Sequence, residues 1–175
     1  MLAHALALWL LAAAPPSAGP ASLAAAIDEA ALATRRPENL RRVGGKVLLY
    51  GQRTNGPDTE AGELACAKVV SIVLREAGVK LDVQLGVVGV EQALRRWPKV
   101  TSEDDLRPGD VVVWTSRLKG NRSRACTGGG TCHVGIRTRD GDFHNDPLGD
   151  SPTFGGLGLL GYRFKVAFRP PAAGR

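Results

Sequence analysis

The chain has 175 residues, a formal net charge of +6 and an aromatic content of 5%. Its length is that of one domain with a single core. The Lys and Arg residues are scattered and aromatic residues are scarce, so the composition argues against a nucleic-acid-binding protein. A basic protein is attracted to anionic surfaces such as cell walls, membranes or polyphosphates.

The first 24 residues are predicted to be a secretory signal peptide. Residues 5–12 form an apolar run, too short to span a bilayer, which needs about 20 residues. Small-residue patterns ending at Ala18 and at Ala24 offer two cleavage positions. We therefore expect a protein that is secreted or periplasmic after cleavage, with no stable membrane insertion.

An Ala-rich stretch at residues 22–36 reads as a short helix, followed by an extended segment at residues 47–51. The best-defined element is a longer helix with a broad apolar face, which starts near Glu60 and stops at Gly78. Cys66 then lies in about the first turn. The unpaired amides and the positive end of the helix dipole stabilise a thiolate there, so we expect a lowered thiol pKa.

The second half of the chain reads mostly as short strands, and one helix run followed by antiparallel strands predicts an α+β domain. In chain order the elements are a helix at 90–97, a turn at 106–110, a buried strand at 111–114, a polar Gly-rich loop at 116–131, a hairpin of 133–138 with 142–145, and a last strand at 162–168. The predicted organisation is an N-terminal helix or linker (25–44), the domain (45–169) and a tail (170–175).

The three cysteines suggest a division of roles. Cys126 and Cys132 lie close enough in sequence to form a disulfide, in keeping with an oxidising compartment. A zinc site built on these two cysteines and a nearby histidine is the alternative, but it lacks a clear fourth ligand. Cys66 is left unpaired, and an odd cysteine in an exported protein is a candidate reactive thiol.

Thiol catalysis needs a thiolate, an imidazole that shares its proton and a polar group that orients the imidazole. Cys66 and His133 supply the first two. For the third we expect a three-residue hairpin loop that pairs Thr138 with Asp142, which places Asn145 on the face of His133. His144 is the second choice.

A two-residue loop in the same hairpin would instead place Asp146 beside His133 and turn Asn145 to the other face.

Three features together resemble the NlpC-type papain-like cysteine peptidases of bacterial cell walls. They are a cysteine at a helix start, the run Leu-Arg-Pro-Gly-Asp-Val-Val-Val-Trp at residues 106–114, and His-Val-Gly-Ile at residues 133–136 followed by a polar residue twelve positions after the histidine. The resemblance covers about residues 45–169. It implies a papain-like α+β fold in which the helix that carries the nucleophile packs on a small antiparallel sheet.

The resemblance also implies cleavage of peptide bonds in peptidoglycan. Cys66 matches the nucleophile, His133 the base and Asn145 the third polar position, and neither a metal nor a cofactor is implied. The resemblance is to a divergent member of the family, because the usual Asp-Cys-Ser-Gly appears as Ala65-Cys66-Ala67-Lys68.

The expected function is therefore an exported, monomeric cysteine hydrolase, or peptidase, that acts on cell-wall peptides. The alternative is a catalytically inactive wall-binding module of the same fold. The bond that is cleaved, a self or foreign wall as target, and any inhibitor are not determined by the sequence.

Overall fold

The computed structural model describes residues 22–62, 65–116, 132–147, 150–157 and 161–172. Within these residues the protein combines α-helices with antiparallel sheets, which confirms the α+β class. The predicted loop at 116–131 lies almost wholly outside the described residues, as does nearly all of the predicted signal peptide. No helix in the described part of the chain is long and apolar enough to cross a membrane.

A six-stranded antiparallel sheet forms the centre of the fold, with the strand order β4-β9-β5-β6-β7-β8. Its middle strand β5 is apolar and buried along residues 111–114, as the run of Val residues predicts. The last strand, β9, has the predicted bounds. The strands of this sheet are β4 Lys99–Val100, β5 Val111–Ser116, β6 Cys132–Thr138, β7 Gly141–Asn145, β8 Pro152–Phe154 and β9 Tyr162–Phe168.

Alternation along the strands gives this sheet two different faces. On the inner face Val113, Val134 and Ile136 join the main core, against which the helices pack. On the outer face Val112 and Trp114 belong to a second, smaller cluster that also holds Leu157 and Ala167. Residues next to each other on one strand therefore meet different surroundings.

The helix α2 (Cys66–Glu76) packs on the inner face and begins at the candidate nucleophile. The expected start near Glu60 is wrong, because a separate 3-10 helix, Pro57–Gly62, occupies that stretch. Its Thr59 hydroxyl donates to the Thr54 carbonyl, over 3.0 Å. Gly78 has a φ of 89°, as expected for a glycine that ends a helix. The shorter helix α3 spans Val87–Ala93, earlier than the predicted 90–97.

A small three-stranded sheet precedes α2, and its first and third strands are absent from the prediction. The domain boundary predicted at residue 45 falls in the turn between the first two strands, where Gly44 and Gly45 both have positive φ. The first strand was missed because it is mostly exposed and carries two adjacent arginines instead of an alternating pattern. The strands are β1 Leu40–Val43, β2 Lys46–Leu49 and β3 Gln52–Arg53.

The segment predicted as a helix or linker contains a helix, α1 (Leu23–Ala33), that packs on the domain. Ser22 caps it by accepting a hydrogen bond from the Ala25 amide, over 3.2 Å. The Tyr50 hydroxyl donates to the carbonyl of Ala30, over 2.5 Å, and ties the β2–β3 turn to this helix. Of the two predicted cleavage positions, only Ala18 leaves the capped helix intact.

The side chain of Asp28 on α1 holds the turn between β6 and β7. Asp28 is 4% exposed, and its carboxylate accepts hydrogen bonds from the Arg139 amide at 3.0 Å and from the Arg139 guanidinium at 2.6 Å. The next turn residue, Asp140, pairs with Arg35, which follows the C-cap of the same helix. A helix more than a hundred residues away in sequence thus fixes the hairpin turn.

We expect Asp28→Ala to lower the free energy of unfolding by about 1.5–3 kcal/mol, because it removes charge-assisted hydrogen bonds and leaves the partly buried Arg139 amide without its acceptor. Glu29→Ala is the matched control: its carboxylate is exposed and contacts the same arginine, so its effect should stay below about 0.5 kcal/mol. Urea denaturation measures both. Equal effects of the two variants would contradict the role of Asp28.

Candidate functional site

Cys66 is the first residue of α2 and carries a free thiol that is 8% exposed. The N-cap residue, Ala65, makes no side-chain hydrogen bond to the first turn. The first amides of the helix are therefore not capped by the Ala65 side chain. The amides of Cys66 and Ala67 interact with the thiol and favour its charged form. The amide of Val134 on β6, directly after His133, contributes as well.

Burial raises the pKa of the Cys66 thiol, and the amides of Val134, Ala67 and Cys66 itself lower it by less. The expected lowering of this pKa is therefore wrong for the protein without substrate. The reason is physical: removing a thiolate from water costs more than these amides return. The thiol is accordingly neutral at physiological pH.

His133 lies on β6 and is 4% exposed. Its imidazole is surrounded by rings, with centroid distances of 5.1 Å to His144, 5.5 Å to Tyr162 and 6.4 Å to Trp114. Burial, and next the charge that His144 would carry, lower the pKa of His133 to about 3, against a smaller opposing effect of the Asn145 backbone. His133 is therefore a neutral base, and its buried Nε2 has no hydrogen-bond partner.

The hairpin register decides which residue stands beside His133. The strands β6 and β7 pair Thr138 with Gly141 and Gly135 with His144, so the loop has two residues and the expected three-residue loop is wrong. Paired residues share a face, and so do residues two apart on one strand such as His133 and Gly135, whereas adjacent residues do not. His144 therefore lies on the face of His133, and Asn145 faces the other way.

Asn145 still contributes to the site, through its main chain. Its carbonyl oxygen lies 2.7 Å from Nδ1 of His144 and favours the charged form of His133. The Asn145 side chain is fully buried, and its amide nitrogen donates to the carbonyl of Asp146 at 3.2 Å. The structure thus brings the His144 ring and the Asn145 carbonyl to His133, rather than the Asn145 side chain.

The close packing around position 135 explains why the residue after His133 and Val134 is a glycine. A Cβ at this position would lie 2.5 Å from the Phe143 carbonyl, 3.0 Å from Cβ of His144 and 3.1 Å from the Trp114 ring. A larger residue would therefore push His144 and Trp114 apart, and the glycine lets both approach the histidine.

Tyr162 is a site residue that the sequence did not single out. Its ring contacts that of His133, and both burial and the neighbouring Cys66 raise its pKa, so its hydroxyl stays protonated. Tyr162 is thus a neighbour of both Cys66 and His133. No sequence motif marks Tyr162, because its position depends on how β9 pairs with β5.

Cys132, next to His133, is disulfide-bonded. Its predicted partner Cys126 lies outside the described residues, so the pairing of these two remains a prediction. Among the described residues, no group of three or more His, Cys, Asp or Glu side chains is arranged to hold a metal ion.

Comparison with known proteins does not extend these observations: no protein-family model and no curated protein sequence matches the chain.

The buried His133 should make stability depend on pH. Its folded-state pKa, about 3, lies below the unfolded value of about 6.5, so protonation favours the unfolded chain. The free energy of unfolding should fall as the pH drops from about 6.5 toward 3, with a loss of about 2 kcal/mol between pH 7 and pH 5.

Urea denaturation of the wild type and of His133→Gln at both pH values checks this dependence. Carboxylates also make stability depend on pH, but they are the same in both proteins. The difference between the two losses of unfolding free energy therefore reports on His133 alone. Equal losses in the two proteins would show that His133 is not a buried neutral imidazole.

Proposed function

We propose that the chain is an exported cysteine hydrolase of the papain-like type that cleaves amide bonds in the peptides of peptidoglycan. The observation that carries the proposal is the meeting of α2 and β6. The thiol of Cys66, at the helix start, is next to the amide of Val134, and the preceding residue, His133, is a neutral imidazole with a free ring nitrogen.

In the proposed reaction His133 takes the thiol proton as the sulfur of Cys66 attacks the acyl carbon. The amides of Cys66 and Val134 are suited to stabilise the negative charge on the acyl oxygen. His133 then gives its proton to the leaving amine, and water releases the acyl group from the sulfur. The carbonyl of Asn145 favours the charged imidazole that forms in this step, and the ring of His144 packs edge-on against His133 and orients it.

A neutral thiol and a neutral imidazole are compatible with this chemistry. Proton transfer occurs only as the sulfur attacks, and catalytic hydrogen bonds often tighten only when substrate is bound. Bound peptide would also exclude the remaining water and strengthen the interaction of the newly formed ion pair.

The basic mature protein would be retained on the anionic wall after export, as a monomer that needs neither a metal nor a cofactor. The positive charge supports this location, because the charged residues all lie after residue 24.

The expected test result is that the purified protein releases fragments with new amino groups from peptidoglycan, as detected by mass spectrometry. Cys66→Ala should lower this release by at least about 1,000-fold, since it removes the nucleophile. The matched control, Arg75→Gln at the exposed end of the same helix, should retain it. Release that persists in Cys66→Ala would contradict the proposal.

A second candidate is a wall-binding module without activity. The burial of Cys66 and His133, both neutral and both less than a tenth exposed, favours it. In this case wild type and Cys66→Ala would sediment equally with insoluble wall while neither released fragments.

A further inference from the structure

The outer face of the six-stranded sheet carries a cavity that the proposed chemistry does not use. Its volume is about 350 Å³, within the size range of sites for small molecules. The cavity lies against the second, smaller core cluster, on the side of the sheet opposite α2. Its wall includes three aromatic residues and three charged ones: Trp114, Tyr162, Phe164, Glu103, Asp142 and Arg163.

The aromatic wall is set by strand geometry. Tyr162 and Phe164 are two residues apart on β9 and so share a face, and Trp114 of β5 pairs directly with Phe164. The three rings therefore stand together along two central strands. They offer a broad apolar surface to a ligand that is itself ring-shaped.

The charges around the cavity balance one another. Glu103 and Asp142 are opposed by Arg163 in the wall and by Arg137, whose Nε lies 2.9 Å from Asp142 Oδ1. The Asp142 carboxylate is already paired with Arg137 and would attract a cationic ligand only weakly. The balance favours a neutral ligand with several polar groups.

Asp142 also has hydrogen-bonding capacity to spare. It is 8% exposed, and the ion pair of its Oδ1 with Nε of Arg137 uses only part of the acceptor capacity of a carboxylate. A buried carboxylate that can accept further hydrogen bonds favours a ligand that brings a donor, such as a hydroxyl group. Arg163 on the rim can donate in return.

We propose that this cavity binds a sugar ring, with its apolar face on the aromatic wall and its hydroxyl groups on Asp142, Glu103 and Arg163. Sugar binding itself does not require the thiol. Tyr162, which lines the cavity and contacts His133, would bring the sugar near His133. The sugar's identity as part of the glycan strand rests on the proposed function.

The test is calorimetric titration of the full mature chain carrying Cys66→Ala with the dimer and trimer of N-acetylglucosamine. Saturable binding is expected. Adding Arg163→Gln, an exposed change that leaves the core intact, should weaken it about tenfold by removing a charged donor. Arg96→Gln, an exposed arginine away from the cavity, should leave the affinity unchanged.

Three results would overturn the proposal: no binding of either sugar at about 10 mM, equal weakening by Arg163→Gln and Arg96→Gln, or tighter binding of N-acetyl-lysine amide than of the sugars. Phe164→Ala tests the aromatic wall. If a melting curve shows that this variant is folded, it should not bind the sugars; if it is unfolded, the Arg163→Gln result decides. All of these titrations use proteins that carry Cys66→Ala and have no nucleophile. The binding result therefore does not depend on whether the wild type is a hydrolase.

Discussion

The register of the β6–β7 hairpin is the constraint on which the candidate site depends. A shift of one residue along a strand moves every side chain to the opposite face of the sheet. The pairing of Thr138 with Gly141 puts His144 beside His133 and turns Asn145 away. The buried carboxylate of Asp28 holds the turn in this register from α1, so the N-terminal helix is part of the architecture of the site.

Burial determines the charge states of Cys66 and His133. The start of α2 supplies the amides that stabilise a thiolate, yet it is packed so closely against β6 that desolvation of the thiol prevails. Burial among the rings of Trp114, Tyr162 and His144 keeps His133 neutral. The protein without substrate thus holds an uncharged thiol and an uncharged base, and any ion pair would form during the attack itself.

Local patterns predicted much of the fold. The apolar face of α2 and the buried Val run of β5 each depend on the periodicity of a single element, and both are found in the structure. The last strand, β9, also forms, but a register shift in its pairing with β5 places Tyr162 and Phe164 in the outer cluster and Phe168 in the main core, so the predicted single apolar face is wrong. The edge strands β1, β3, β4 and β8 were missed, since the first is mostly exposed and the other three have only two or three residues each. Such segments carry little periodic signal.

The details of the site were harder to predict for a different reason. The two-residue hairpin loop is held by Asp28, which lies 111 residues before Arg139, and Tyr162 joins the site only through the pairing of β9 with β5. The pKa values depend on burial, which no spacing of residues reveals. Sequence could therefore name Cys66 and His133, but not the neighbours that govern them.

The central claim is that Cys66 and His133 act as a pair although both are neutral. The most direct measurement is the rate at which a stem-peptide chloromethyl ketone alkylates Cys66 at pH 7, mapped by mass spectrometry. The account predicts alkylation at Cys66 that is at least about 100-fold slower in a folded His133→Gln variant, the scale of general-base assistance. Equal rates in the two proteins would contradict it.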